Sequence, residues 1–455
     1  MTTNLDCFTQ WVAQATEEGV APERYTALMG MVADREGLAQ SFQRQSPRKA
    51  AGIDGLRKAD YGRELETRLA DLSARLRRMA WRPQPARRVH IPKAGGGMRP
   101  LGLPSFEDRL VQDRVARVLQ AIWEPMFSDC SFGFRPGRSA HQALARVDHV
   151  IRNGRTQWIV EADIKGFFDA VNHDHLMRFV EHRVADANVL RLIRRLLRAG
   201  VVDGGQFQAS EQGTPQGGLV SPVLANIYLH YVLDLWFERR VARQSQGRAH
   251  LVRYADDFVA CFEREGDARA FLAELQARLA QFGLQVEPTK TALLRFGSLA
   301  RAHARRAGVK PASFNFLGLT HYVHTTRGGR FSVGRTTQRQ RIGKKLCALA
   351  EQLKLLRLRG TAAMIGHVRQ HVRGHIQYYG VSGNSRALRR YVYLVSRMLF
   401  KWLNRRSQRR SLTWSRYARG LDRWMPKPRI VHRFVPETAN DSPGSPDGVT
   451  LQVRF

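Results

Sequence analysis

Acidic residues are scarce in this chain: 39 Asp and Glu stand against 74 Lys and Arg over 455 residues, for a net charge of +35. Such a surplus repels itself and disfavours cationic or neutral partners. It favours a polyanion, and nucleic acid is the one expected. Cysteine is scarcer still. Cys7, Cys130, Cys261 and Cys347 lie far apart with no CxxC pair, which excludes a zinc ribbon or a dithiol redox centre. They read as buried thiols in a reducing compartment. No apolar run is long enough to span a membrane, and Asp6, Glu17 and Glu18 interrupt any signal-peptide pattern. A cytoplasmic location without membrane attachment is expected, with nucleoid association left open.

What is present is unevenly spread. Between residues 331 and 440, 25 Lys and Arg face three acids, Glu351, Asp422 and Glu437, a surplus of +22. A concentrated basic surface suits salt-sensitive phosphate contacts. The hydrophobic fraction of 43% is ordinary for a chain with a sizeable core. One or two helices are expected in 1–45, and another in 63–80, where Leu65, Leu69, Leu72 and Leu76 recur at helical spacing. Apolar and basic residues alternate on each side of Gly95-Gly96-Gly97, which predicts a hairpin over 87–103. A helix is predicted over 106–123, a strand over 158–162, a hairpin over 251–262 and a helix over 267–282. Short strands are expected at 314–323 and 330–333. From 335 the texture turns helical, with stripes through Leu346, Leu349, Leu353 and Leu356 and through Tyr391, Leu394, Val395, Met398 and Trp402. Residues 436–448, rich in Pro, Gly, Ser and Asp, read as a mobile end.

The chemistry-bearing signal is a pair of interrupted apolar strands. Leu251–Cys261 carries Asp256-Asp257 at its turn, and Trp158–Ala162 ends on Asp163. Buried neighbouring carboxylates cost several kcal/mol, by order of magnitude, unless a cation or hydrogen bonds compensate. If the strands are neighbours, these acids converge, and hard oxygen ligands on a rigid turn suit Mg²⁺. Two such ions could serve nucleotidyl transfer. Glu161 and Asp169 are weaker candidates: Glu161 shares the strand face of Asp163 further from its tip, and Asp169 is expected to cap the following helix.

The tetrad Tyr254-Ala255-Asp256-Asp257 resembles the catalytic motif of reverse transcriptases. The wider pattern resembles the group II intron-encoded reverse transcriptases, or maturases, of the compact bacterial type. The segments that carry the resemblance are GIDG at 52–55, IPKAGGGMRPLGLPSFEDRLVQ at 91–112, FGFRPGRSAHQAL at 132–144, ADIKGFFDAVNHDHL at 162–176, GTPQGGLVSPVLANIYL at 213–229, RYADDF at 253–258 and FNFLGLTHY at 314–322. It spans roughly 45–430 and implies an α+β right-hand polymerase. An N-terminal helical extension (1–45) would precede fingers and an antiparallel-sheet palm (46–325). A helical thumb, or X domain (335–411), and a basic nucleic-acid-binding tail (412–455) would follow. No HNH endonuclease is expected in so short a tail.

The resemblance also implies roles. Asp163, Asp256 and Asp257 would be the catalytic acids, holding two Mg²⁺ ions (Mn²⁺ as substitute) with the main-chain carbonyl of Ile164 and with Asp257 set further back. Lys93 and Arg99 would grip the triphosphate of the incoming nucleotide. Phe168 would be the steric gate against a 2′ hydroxyl, and Gln216 would lie along the nucleotide. Lys290 would reach a phosphate, a role weighed against that of a plain surface lysine. Phe316, Leu317 and Gly318 would form the primer grip. Arg405, Arg406, Arg409 and Arg410 would contact nucleic acid. Trp414, Tyr417 and Trp424 could stack on bases or cover a core; core is the preferred reading for the tryptophans. The implied partners are an RNA template, a DNA or RNA primer, deoxynucleotides and structured group II intron RNA. A splicing-only maturase, and a relative recruited to DNA repair, phage defence or CRISPR adaptation, stay open as alternatives. Phe168 speaks against an RNA-dependent RNA polymerase. Oligomeric state is not readable.

Overall fold

The computed structural model describes residues 4–92, 97–215, 217–326, 328–405 and 412–434. The chain is an α+β protein that divides into two compact units. One comprises residues up to 334 with 338–344; the other comprises 335–337 and the chain from 345 onward. The strands run in order as β1 (Ala86–Pro92), β2 (Met98–Leu103), β3 (Trp158–Asp163), β4 (Val201–Asp203), β5 (Gln206–Gln208), β6 (Ala249–Tyr254), β7 (Asp257–Phe262), β8 (Ala292–Arg295), β9 (Ser313–Phe316), β10 (Leu319–Thr325) and β11 (Phe331–Thr337).

The sheet that matters for function has the order β6-β7-β3-β8, and every pair in it is antiparallel. Alternation sorts its faces. Val160 and Ala162 of β3, with Phe258, Ala260 and Phe262 of β7, point into the main core. There they meet Phe271, Leu275 and Leu279 from the helix Glu265–Ala280. Each of the buried valine, leucine and phenylalanine side chains contributes about 1.5–3 kcal/mol. The other face carries Glu161 and Asp163 toward a cleft.

A second sheet, β2-β1-β4-β5, holds the basic hairpin; β1 and β2 pair antiparallel, while β1 and β4 run parallel. The helix Phe106–Trp123 lies where its periodicity predicts. Ser105 Oγ accepts from Asp108 N–H at its start, and Asp54 Oδ2 accepts from Phe106 N–H at 2.8 Å. The GIDG turn is thereby tied to the beginning of this helix. The second unit is mostly helical, with Thr361–Tyr379, Ser385–Asn404 and Trp414–Trp424. Within it, buried Asn384 bonds Thr337 and the Tyr379 carbonyl.

Several expectations are corrected. Only Cys261 is a fully buried thiol; Cys130 is half-buried, and Cys7 and Cys347 are exposed on helix faces that turn to solvent. Asp169 lies inside the short helix Phe167–Ala170, and Asn172 caps the next helix by accepting from His175 N–H. Among the described residues up to 45 there are three helices rather than one or two. The strand expected at 330–333 continues to Thr337, so helix begins at Arg339 rather than 335. Of the three aromatics near 420, Tyr417 is buried and donates to the Ser396 carbonyl, but Trp414 is exposed and Trp424 half-buried. The expected mobile end lies outside the described residues.

Candidate active site

Asp163 closes β3 and Asp257 opens β7, and the two are direct cross-strand partners. Asp256 is the second residue of the two-residue turn between β6 and β7. Three acids from two remote segments thus line one open cleft of about 1020 Å³. The turn is unusual in its first residue. Ala255 holds φ +57°, a left-handed position that glycine normally takes in a hairpin turn of this kind.

That turn is held from below by an arrangement with no counterpart among the expectations. Arg253 and Asp234 are both 0% exposed and pair through two bonds, of 2.7 and 2.5 Å. Arg253 Nη1 also donates to Asn226 Oδ1 at 3.1 Å and to the Ala255 carbonyl at 3.0 Å. Burial, the largest single influence, lowers the Arg253 pKa; the charge and hydrogen bonds of Asp234, with smaller contributions from Cys130 and Asp256, together raise it above the usual value. Asn226 and Asp234 lie on one helical run from Ser221, which passes through a π-helical stretch at His230–Asp234. A π turn takes more residues than an α turn, and this rotates Asp234 back toward the side of Asn226. Gly133 presses on the same turn: a Cβ there would lie 2.3 Å from the Ala255 nitrogen.

The electrostatics call for a cation. Burial raises the Asp256 pKa, and the negative charge of Asp163 raises it further. Burial pushes Asp257 up to about 7, although its Oδ2 accepts from Leu317 N–H at 3.5 Å. Burial also raises Glu161, which accepts from the Asn315 main chain. Lys290 Nζ pairs with Asp163 Oδ2, and that bond raises the lysine's own pKa. This is more specific than a plain surface lysine. Its short 3₁₀ turn is anchored beside the acid, because Glu287 N–H donates to the Asp163 carbonyl at 2.8 Å. The described residues contain no ready-made cage of three or more His, Cys, Asp or Glu. Two converging carboxylates fit Mg²⁺, which is commonly held by one or two carboxylates plus substrate phosphates. Ile164 forms a bridge with Val286 whose hydrogen bonds use the main chain on either side of it.

Phe168 is half-buried and lines the cleft, whereas Phe167 sinks into the core against Tyr228. The Phe168 carbonyl accepts from Thr214 N–H at 2.7 Å, which fastens the glycine-rich turn to it. Gly217 in that turn has φ +110°, and a Cβ on it would lie 2.4 Å from the Gly102 carbonyl of β2. The turn therefore needs glycine to lie against the hairpin. Arg99 lines the cleft from β2, and its charge lowers the Asp256 pKa. Phe316, Leu317 and Gly318 form the β9–β10 turn on the cleft wall, reaching Asp257 through Leu317. Arg405, in the other unit, lies over the Trp402 ring. Lys93, Gln216, Arg406, Arg409 and Arg410 lie outside the described residues.

Comparison with known proteins matches this chain to the family model described as reverse transcriptase (RNA-dependent DNA polymerase), over residues 91–321. Protein YkfC of Escherichia coli is 34% identical over 267 residues, covering 52% of this chain and 70% of YkfC. The group II intron-encoded protein LtrA of Lactococcus lactis subsp. cremoris is 39% identical over 200 residues, 43% of this chain and 33% of LtrA. The nuclear intron maturase 4, mitochondrial, of Arabidopsis thaliana is 32% identical over 131 residues, 28% of this chain and 16% of that protein. The chain thus spans most of YkfC but about a third of LtrA. Among the described residues, no helix is long and apolar enough to cross a membrane.

Proposed function

The chain belongs to the reverse transcriptase family, in its group II intron-encoded branch, and we propose that it copies RNA into DNA at the cleft walled by Asp163, Asp256 and Asp257. The observation that carries this is the cross-strand partnership of Asp163 and Asp257 with Asp256 at the adjoining turn. Asp163 and Asp256 are the residues that would hold the ions, with the Ile164 carbonyl beside them and Asp257 set back toward Leu317. Bound there, a pair of divalent ions would activate the primer hydroxyl and steady the leaving pyrophosphate.

The protein groups supply the rest. Arg99, with Lys93 on the same hairpin, offers donors that match phosphate oxygens. Lys290 sits beside Asp163 and exchanges that carboxylate for a phosphate when nucleotide enters. The Phe168 ring would collide with a 2′ hydroxyl, and Gln216 would lie along the nucleotide. The Phe316–Gly318 turn supports the primer end. The sheet with Asp163 is the palm, the β1–β2 hairpin belongs to the fingers, and the helices after 339 form the thumb. Arg405, Arg406, Arg409 and Arg410, with the basic tail, bind nucleic acid. Structured intron RNA is the partner proposed for splicing and mobility, after the printed names of LtrA and intron maturase 4.

Primer extension on an RNA template tests the proposal. Replacing Asp256 and Asp257 together by Asn should abolish DNA synthesis while RNA binding persists. Undiminished synthesis by that variant would remove the metal site from the mechanism.

A further inference from the structure

Phe134 sits where an aromatic side chain has least reason to be. Its φ is +58°, and the residue is 47% exposed on the wall of the cleft that holds Asp256 and Phe168. Non-glycine residues rarely adopt this backbone region, and bulky ones least of all. Such strain persists only where the surroundings over-determine it, and here they do so from both sides. On one side, Phe132 is buried, its N–H donates to the Arg253 carbonyl at 2.8 Å, and Gly133 lies against the catalytic turn. The Gly133 carbonyl accepts from Asn226 Nδ2 at 2.7 Å. On the other side, buried Arg135 donates to the carbonyls of Ser128 and Ser131 and to the Glu124 carboxylate. Between these clamps the chain turns one ring outward, 6.5 Å between centroids from the ring of Tyr254.

We propose that Phe134 is a stacking platform for a nucleobase of the template–primer duplex at the point of insertion, a reading that rests on the polymerase function above. Every base presents a π-face, so an aromatic platform on the cleft wall grips nucleic acid without regard to sequence. The sheet order separates this contact from those suited to the incoming nucleotide. Tyr254 lies on β6, whereas Asp163 lies on β3, two strands away, and its partner Lys290 comes from the 3₁₀ turn leading into β8. That is about 10 Å across the sheet. The lysine therefore flanks the acids on one side and the Phe134 ring on the other.

The test uses the full chain carrying Phe134→Gly and Phe134→Trp. Glycine deletes the ring and also relieves the left-handed backbone, so the thermal midpoint of F134G should equal or exceed that of the wild type. Its KM for primer–template should rise about fivefold or more, with the KM for deoxynucleotide changed less than about twofold. A 2-aminopurine at the primer terminus, quenched by stacking, should brighten in the F134G complex and darken again with F134W. An unchanged duplex KM and unchanged fluorescence would overturn the proposal. So would a lowered midpoint with normal duplex binding, which would make the ring a packing element, or an effect confined to the deoxynucleotide. The fluorescence measurement needs no turnover. If the wild type binds duplex but extends nothing, the polymerase reading fails while the stacking contact is still judged on its own.

Discussion

Removing the carboxylate of Asp234 should unfold the site from beneath. Arg253 would keep a wholly buried guanidinium with two of its four hydrogen bonds gone. Breaking a buried pair by deleting one partner costs about 3–5 kcal/mol, a large part of the roughly 5–15 kcal/mol that holds a typical protein folded. Asp234→Ala should therefore shift urea unfolding by that amount, read by the fluorescence of buried Trp81 and Trp123. Replacing both partners, with Arg253→Met and Asp234→Leu, should recover most of the stability, because well-packed apolar residues substitute for buried ion pairs at little cost. Activity should not recover with it. The Ala255 carbonyl has lost its donor, and a strained left-handed alanine is no longer pinned. Adding Ala255→Gly should then restore part of the extension rate, since glycine occupies that region without strain. A loss below about 1 kcal/mol for Asp234→Ala would contradict the order of magnitude for a buried pair. A wild-type extension rate in the R253M/D234L double variant would show that the clamp does not position the turn.

The remaining predictions concern the cleft. Phe168→Ala should raise ribonucleotide incorporation relative to deoxynucleotide, and unchanged discrimination in a competition assay would remove Phe168 as the gate. Lys290→Ala should raise the KM for nucleotide while leaving primer–template binding intact; equal losses in both would make it a general surface cation. Asp257 has its pKa pushed up to about 7, against about 3.9 for a free Asp. The folded state therefore binds more protons than the unfolded state between about pH 4 and 7, and metal-free stability from this group falls as pH rises through that window. Mg²⁺ should consequently raise the thermal midpoint more at pH 8 than at pH 6, and an equal increment at both would break the link between these acids and the ion.

The acids were legible because their signal is local. Two apolar strands each end on a carboxylate, and alternation alone puts Asp163 on an open face. The helix Phe106–Trp123 was legible for the same reason, with a cap and a sustained stripe. The helix Ala140–Asn153 carries a comparable signal, with Ser139 as its cap and Ala143, Leu144, Val147 and Ile151 on its buried face. The strands β4 and β5 have three residues each, too few for any periodicity to register. The Arg253–Asp234 pair was hidden differently. Nothing in an arginine beside the acid turn says that its partner lies 19 residues upstream, and the π-helical turns that align the partner have no composition of their own. Phe134 reads as one more aromatic in a motif that already holds Phe132. Its left-handed backbone appears only once Gly133 and Arg135 are seen to be held from opposite sides.

These hidden elements share a logic with the visible ones. The cleft collects negative charge that the protein leaves only partly compensated: Lys290 answers Asp163, while burial raises the pKa of both Asp256 and Asp257. Under the proposed function the site accepts cations and a triphosphate, and it cannot neutralise its own carboxylates without competing with those ligands. The rigidity that keeps such a site open therefore has to come from groups that never enter it. Arg253 directs its charge to Asp234 beneath the turn rather than to Asp256 above it, although Asp256 is only three residues away. Were the guanidinium to reach the acid instead, it would occupy the position a divalent ion needs. Burying Asp234 opposite it keeps that arginine out of the cleft, and this is the sense in which a helix outside the sheet governs the acids at the ends of its central strands.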